Sequence, residues 1–244
     1  MSRALLLAAH GSRDPRFADT AGRVRYAVAQ RLPATDVRLA FLDLNAPSVT
    51  EALAALGGDC VVVPLLLAPG HHSDVDLPAI IAQSRCAARP VTTDIVGTTA
   101  LTEALADRLS QAGLGDDDGI IVTAVGSTNP AAELVVRRRA VELSTRLHRP
   151  VDVVLATQLG VGDIRLRTAI RRLRHAGVHR IAVSPYFLSA GLLTERVETA
   201  LDRLAPDSLV AGPIGTHPTL VDAVVDRYLR ATYSADTEQI PNVR

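Results

Sequence analysis

The chain has 244 residues with 26 basic and 26 acidic side chains, so its formal charge at neutral pH is zero. All 26 of the basic residues are arginine, and lysine is absent. This excludes Schiff-base and pyridoxal phosphate enzymes and the phosphate-binding lysine of a P-loop. The zero charge provides no global field that favours nucleic acid or an acidic membrane surface. With 48% hydrophobic and 21% charged residues, the sequence predicts a globular protein with an aliphatic core.

The cysteines and the apolar runs together predict a cytoplasmic protein. Cys60 and Cys86 fit no zinc or iron–sulfur spacing, and Cys60 opens an apolar run typical of a buried thiol. The apolar run within residues 1–7 is too short for a signal peptide. No stretch of about 18 uncharged apolar residues is present, so the sequence predicts no membrane span.

Short apolar runs followed by amphipathic stretches predict strands that alternate with helices. Leu101, Leu105 and Leu109 form the apolar stripe of a helix that stops at Gly113, and the turn-rich segment 113–119 follows. Such alternation is typical of parallel sheets with helices on both faces. The strands are predicted at 4–9, 37–42, 60–67 and 91–96, and again at 120–125, 151–157, 180–188 and 208–211.

The two series of elements align with each other at several places in the same order. The matched motifs are Gly11-Ser12 with Gly126-Ser127, Pro64 with Pro185, Gly70 with Gly191, and Gly97-Thr98 with Gly215-Thr216. We therefore predict an α/β protein with two tandem homologous halves, each a mostly parallel sheet flanked by helices. The predicted halves are 1–114 and 118–232, and 233–244 is predicted to be a loose tail.

The two halves differ at polar positions that follow predicted strands. The first half has two histidines and an aspartate where the second has no charged group: His10 against Val125, Asp43 against Gln158, and His72 against Leu193. The fold needs neither histidine, since valine and leucine serve in the sister copy. We therefore predict that residues 1–114 carry the site and that 118–232 form the other wall of a cleft.

These three side chains suggest a metal site with acid–base chemistry. Open α/β sheets bind ligands at the carboxyl ends of their strands, where all three residues fall. Two imidazoles and a carboxylate suit a borderline divalent metal, and a histidine can accept a proton near neutral pH. We predict His10, Asp43 and His72 as metal ligands, with His10 and His72 also catalytic. His71 competes with His72 for this role, because both align with leucine in the second half.

Several motifs in the chain resemble those of one enzyme family. They are His-Gly-Ser-Arg-Asp-Pro at 10–15, Phe-Leu-Asp at 41–43, the block from Pro64 through Gly70-His71-His72 to Asp76-Leu77-Pro78, and Gly-Thr-His-Pro at 215–218. In order and spacing they are similar to the sirohydrochlorin chelatases, which include cobaltochelatases and ferrochelatases. The resemblance covers nearly the whole chain and implies the long form of a class II chelatase, with two fused halves.

The resemblance implies specific roles and a reaction. The family's strand-end histidine falls on His10, its second histidine falls on His72, and its acidic residue falls on Asp43, where glutamate is common. The implied activity is insertion of Fe²⁺ or Co²⁺ into sirohydrochlorin without ATP, for sirohaem or cobalamin synthesis, with no cofactor beyond the substrate metal. The alternative is a tetrapyrrole or metal carrier that keeps the ligands but does not turn over.

Groups near the first strand are candidates for binding the carboxylates of the macrocycle. Ser12, Arg13 and the backbone N–H groups that open the following helix are placed for this. Arg13 is equally suited to pairing with Asp14, and the sequence leaves both roles open. The predicted partners are sirohydrochlorin and a divalent metal, with no nucleic acid and no membrane, in a monomer or weak dimer.

Overall fold

The computed structural model describes residues 3–56, 58–84 and 90–237. Within these ranges the chain alternates parallel strands and helices, as the apolar runs predict. The strands are β1 (Ala4–Ala9), β2 (Val37–Phe41), β3 (Cys60–Leu65), β4 (Val91–Thr92), β5 (Asp118–Ala124), β6 (Val151–Leu155), β7 (Arg180–Pro185) and β8 (Leu209–Val210). The α-helices are α1 (Pro15–Arg31), α2 (Val49–Ala55), α3 (Leu77–Gln83), α4 (Thr102–Ala112), α5 (Pro130–Leu147), α6 (Ile164–His175), α7 (Leu192–Leu204) and α8 (Pro218–Thr237).

The strands form two four-stranded parallel sheets with the same topology. Their orders are β2-β1-β3-β4 and β6-β5-β7-β8. The central strands are covered by helices on both faces, so they are apolar throughout rather than alternating. Leu5, Leu6 and Leu7 of β1 are completely buried, and Cys60 at the start of β3 is a buried thiol, as predicted. Cys86 lies outside the described residues.

The predicted edge strands are longer than the observed ones. The segment 91–96 forms only the two-residue strand β4 and then a 3-10 turn at Val96–Thr98. The segment 208–211 likewise forms only the two-residue strand β8. Each of these strands forms backbone hydrogen bonds with one neighbour, whereas a central strand forms them with two. The predicted tail is also partly wrong, because α8 continues to Thr237.

The compact units of the structure do not coincide with the predicted halves. One unit comprises 1–99 and 218–244, and the other comprises 100–217. Helix α8 packs against α1 and β3, whereas α4 packs against α5, β7 and β8. Since α1 and α5 are equivalent in the two repeats, each repeat gives its last helix to the sheet of the other. A boundary near 113–119 separates the repeats in sequence, but the units exchange α4 and α8.

An arginine fixes each exchanged helix in its unit. Arg227 of α8 donates from Nε to the carbonyl oxygen of Asp94 (3.1 Å) and from Nη2 to that of Ile95 (2.9 Å). Arg108 of α4 donates in the same way, from Nε to Pro213 O and from Nη2 to Ile214 O, both at 3.1 Å. In each unit the accepting carbonyls lie just before the repeated Gly-Thr pair. The two contacts are therefore similar in the two repeats but displaced by one position relative to the Gly-Thr pair.

We expect the Arg227→Met variant to lose about 2 kcal/mol of unfolding free energy. Its guanidinium also donates to Thr98 Oγ1 (2.6 Å) and Thr99 Oγ1 (2.7 Å), and methionine leaves these acceptors without their donor. Arg230→Met removes an exposed arginine from the same helix and is expected to change stability by less than about 0.5 kcal/mol. Urea unfolding measures both, and equal losses would contradict the role given to Arg227.

Among the helices in the described ranges, none combines the length and hydropathy that crossing a membrane requires.

Candidate functional site

The turn after β1 brings the carboxyl ends of β1 and β2 together. Gly11 has φ +102°, and a Cβ on it would lie 1.8 Å from the carbonyl oxygen of Asp43. Only glycine therefore permits this approach. Asp43 N donates to His10 O (3.0 Å), and Ser12 N donates to Asn45 Oδ1 (2.7 Å). The turn is thus tied to the loop after β2 before α1 begins.

The imidazole rings of His10 and His72 are in contact. Their centroids are 4.1 Å apart and their planes are inclined at 78°, an edge-to-face arrangement. His10 directly follows β1, and His72 lies in the segment after β3, which is hydrogen-bonded to β1. The neighbouring His71 has a side chain that is 73% exposed and no ring contact with His10 among the described residues. Of the two candidates, His72 is therefore the one that shares a site with His10.

The ring nitrogens of both histidines have defined surroundings. His10 Nδ1 is 3.1 Å from Gly11 O, and a carbonyl only accepts, so this bond places the proton on Nδ1. His72 Nδ1 is 2.6 Å from Asp76 Oδ2. Within the described residues, neither Nε2 has a hydrogen-bond partner. A metal-binding histidine commonly donates its other ring N–H to a carbonyl or carboxylate. His10 matches that pattern, and His72 has a carboxylate oxygen in contact with the same ring nitrogen.

The surroundings of His10 favour its neutral form. Loss of hydration on partial burial lowers the pKa of His10, and the neighbouring His72 lowers it further. The nearby Asp43 carboxylate and the Gly11 carbonyl act in the opposite direction without reversing the change. His10 therefore stays uncharged to a lower pH than a free histidine. Only the neutral ring has a lone pair with which to bind a cation or take a proton.

Asp43 is the third predicted ligand, and its carboxylate is already bonded to its own backbone. Its Oδ1 accepts from Leu44 N (2.8 Å), so the short side chain bends back to its own backbone. In the part of the chain that the structure describes, no three His, Cys, Asp or Glu side chains are arranged to hold a metal ion. The structure thus shows a pair of imidazoles with a carboxylate close enough to act on the charge of His10, and the role of Asp43 as a metal ligand stays a prediction.

The other predicted binding residues differ in how far they are already engaged. The hydroxyl of Ser12 accepts from Asp14 N (3.0 Å), and the backbone N–H of Ser12 is used by Asn45, so neither the amide nor that lone pair remains for a substrate. Arg13 is exposed, and its guanidinium has no partner among the described residues. Asp14 pairs instead with Arg16, whose Nε lies 2.9 Å from Asp14 Oδ1. The alternative role for Arg13, pairing with Asp14, is therefore not seen.

The second half repeats the framework of this site without its chemistry. Gly126 has φ +95°, and Ser127 Oγ accepts from Asn129 N at 3.0 Å, as Ser12 does from Asp14. At the equivalent of His10, Val125 is 47% exposed. At the equivalent of His72, Leu193 packs against the core of its unit. The turn after the first strand is thus kept in both halves, and the histidines are found only in the first.

Sequence reasoning gave no role to Asn45 or Asp76. Asn45 orients the turn after β1 by accepting a hydrogen bond from Ser12 N. Nothing in the sequence around Asn45 distinguishes it from an ordinary loop residue. Asp76 contacts His72, and its position four residues later was a usable signal, since side chains at that spacing meet on a helix. The segment after Gly70 has no clear helical period, so its sequence does not predict that His72 and Asp76 share one face.

The fold and the site define a two-repeat α/β protein with paired imidazoles at the carboxyl edge of one sheet. The CbiX family model matches residues 4–112 and 119–231. The chain therefore belongs to the CbiX family, as two tandem copies.

Individual relatives agree with this assignment. A sirohydrochlorin cobaltochelatase of Priestia megaterium is 26% identical over 251 residues, covering 92% of this chain and 78% of the relative. A sirohydrochlorin ferrochelatase of the same organism is 23% identical over 233 residues, covering 89% and 86%. The solved structure of the sirohydrochlorin chelatase SirB from Bacillus subtilis subspecies spizizenii, in complex with cobalt, has a TM-score of 0.78 at 21% identity over 98% of both chains. This last likeness shows the shared fold.

Proposed function

We propose that this protein is a sirohydrochlorin chelatase, which inserts Fe²⁺ or Co²⁺ into sirohydrochlorin without ATP for the synthesis of sirohaem or cobalamin. The observation that carries the proposal is the His10–His72 pair, with an acceptor at each Nδ1 and no protein partner at either Nε2 among the described residues. The relatives named as cobaltochelatase and ferrochelatase support the substrate and the reaction.

The paired imidazoles suit the chemistry of metal insertion. The reaction replaces two pyrrole N–H bonds by bonds from four macrocycle nitrogens to the metal, and releases two protons. Two Nε2 lone pairs can hold a divalent cation while leaving most of its coordination positions to water and then to the macrocycle. A site with fewer protein ligands than a closed structural site can also give the metal up. Once the metal has moved, a neutral imidazole is a suitable acceptor for a pyrrole proton.

The remaining charged groups fit supporting roles. We infer that Asp43 lowers the electrostatic cost of bringing a cation next to His10, since its carboxylate already acts on the charge of that ring. We assign the exposed Arg13 to a carboxylate of the macrocycle, because its guanidinium is unpaired among the described residues and is suited to bidentate binding. Ser12 contributes through its hydroxyl proton. The cytoplasmic location and the monomeric or weakly dimeric state remain predictions.

The test is an anaerobic absorbance assay with sirohydrochlorin and either Fe²⁺ or Co²⁺, compared side by side. We expect the protein in catalytic amounts to accelerate insertion by about 100-fold or more over the reaction without protein. The faster metal identifies the preferred substrate, because two imidazoles accept both ions. Stoichiometric binding of the macrocycle or the metal with no acceleration would contradict the proposal and establish a carrier instead.

A further inference from the structure

A turn of π-helix follows β3 in the first half. It covers His72–Asp76 and leads directly into α3. At the equivalent place in the second half, α7 is α-helical from Leu192 onward. The π-helix is rare, and single turns of it often occur at functional sites because they widen the helix by one residue.

The register of the two halves locates the extra residue. Both segments start alike: Gly70 N donates to Ser73 Oγ (2.8 Å), and Gly191 N donates to Thr194 Oγ1 (3.0 Å). Counted from these glycines, Asp76 corresponds to Val197, which is buried with 1% exposure. In the first half the buried residue comes one position later, at Leu77, also with 1% exposure. The π-turn therefore keeps the core contact at Leu77 and leaves room for a carboxylate before it.

The same turn brings Asp76 to both histidines. In a π-helix, residues four and five apart lie on one face, so Asp76 meets His72 and His71. Asp76 Oδ2 is 2.6 Å from His72 Nδ1, and Asp76 Oδ1 is 3.3 Å from His71 Nε2. His72 Nδ1 is shielded from solvent and has no well-directed hydrogen bond with the described residues. A small rotation of the ring would direct its N–H at Asp76, the carboxylate already in contact.

We propose that Asp76 is a positioning residue that holds the proton of His72 on Nδ1 and so directs the Nε2 lone pair towards the substrate metal. The inference rests on the proposed function for its catalytic consequence, but the proton position is a property of the protein alone. Asp76 does for His72 what the Gly11 carbonyl does for His10, so both rings present the same nitrogen. The carboxylate forms part of the site only in the half that has the π-turn.

The test combines spectroscopy with kinetics on the full chain. Long-range ¹H–¹⁵N correlation spectra of histidine-labelled protein, recorded where His72 is neutral, report which ring nitrogen carries the proton. We expect Nδ1 in the wild type, and a shift of the population towards Nε2 in Asp76→Leu. The kcat for metal insertion should fall about 10- to 100-fold in that variant, with the KM for sirohydrochlorin unchanged. Asp76→Asn keeps an oxygen acceptor and should retain the Nδ1 proton and most of the kcat.

A matched control comes from the same turn. Asp74 is an exposed aspartate whose Oδ1 accepts a hydrogen bond from Ser73 Oγ (2.6 Å). The Asp74→Leu substitution should leave both the position of the His72 proton and the kcat unchanged. An unchanged proton position in Asp76→Leu would overturn the proposal, whatever the effect on rate. Loss of the Nδ1 proton in Asp76→Asn would also overturn it, and this second variant serves if the leucine variant does not fold. If the wild type inserts no metal, the proposed function fails, yet the spectra still decide the role of Asp76.

Discussion

Replacing His10 by valine or His72 by leucine is expected to lower the rate of metal insertion by about 100-fold or more, with little change in melting temperature. Valine and leucine are the residues that the second half has at these positions, and Val125 lies next to the same positive-φ glycine turn as His10. The substitutions remove the Nε2 lone pairs and the proton acceptors and put apolar side chains in their place, one of which, valine, occupies the equivalent turn of the second half. The rate is measured by the anaerobic absorbance assay, and folding is monitored by thermal unfolding.

The neighbouring histidine supplies the control for this experiment. His71→Leu introduces the residue found at Leu192 of the second half, which is 70% exposed. Because the His71 ring makes no contact with His10 among the described residues, we expect the His71→Leu rate to stay within about twofold of wild type, as for a surface substitution. A wild-type rate in His72→Leu together with a large loss in His71→Leu would reverse the assignment of the two residues. Wild-type rates in both His10→Val and His72→Leu would place the reaction elsewhere.

The Gly11→Ala substitution is expected to destabilise the protein by about 3 kcal/mol. A side chain at φ +102° costs about 1 kcal/mol, and the added Cβ would lie 1.8 Å from the Asp43 carbonyl oxygen, which must move away. For a chain of this size the loss corresponds to a fall of roughly 6–12 °C in melting temperature. Because the displaced backbone joins the ends of β1 and β2, metal insertion should fall as well.

A second glycine separates the cost of the positive-φ backbone conformation from the cost of the close contact with Asp43. Gly113 has φ +92° at the end of α4, and a Cβ added there would meet nothing within 4 Å. Gly113→Ala should therefore cost only about 1 kcal/mol, through its backbone conformation. The difference between the two variants in urea unfolding measures the close approach at Gly11. Equal losses would show that the contact with Asp43 relaxes at no cost.

The sequence predicts the parts of this molecule that depend on local patterns. The apolar runs locate the central strands, and the one-sided histidines predict that two imidazoles lie together, because each follows a buried strand in a parallel sheet. The contact of Asp76 with His72 depends on a π-turn, which no local pattern indicates. The position of Asp43 depends on a bond to its own backbone, which the sequence does not indicate.

The exchange of α4 and α8 was beyond sequence reasoning for a different reason. Both helices are amphipathic and each directly follows the sheet of its own repeat, so proximity along the chain favours the wrong partner. The choice is made by tertiary contacts. Arg108 and Arg227 reach carbonyl groups more than a hundred positions away, and neither arginine differs in its local sequence from an ordinary surface residue.

The helix exchange also sets an order for folding during synthesis on the ribosome. The compact unit formed by 100–217 is continuous in sequence and can be completed while the chain is still growing. The unit that contains His10 and His72 emerges first, yet it lacks α8 until residues 218–237 have left the exit tunnel. The nascent sheet built from β1 to β4 must therefore wait without the helix that packs on β3, and the unit with the paired histidines is the last to become native.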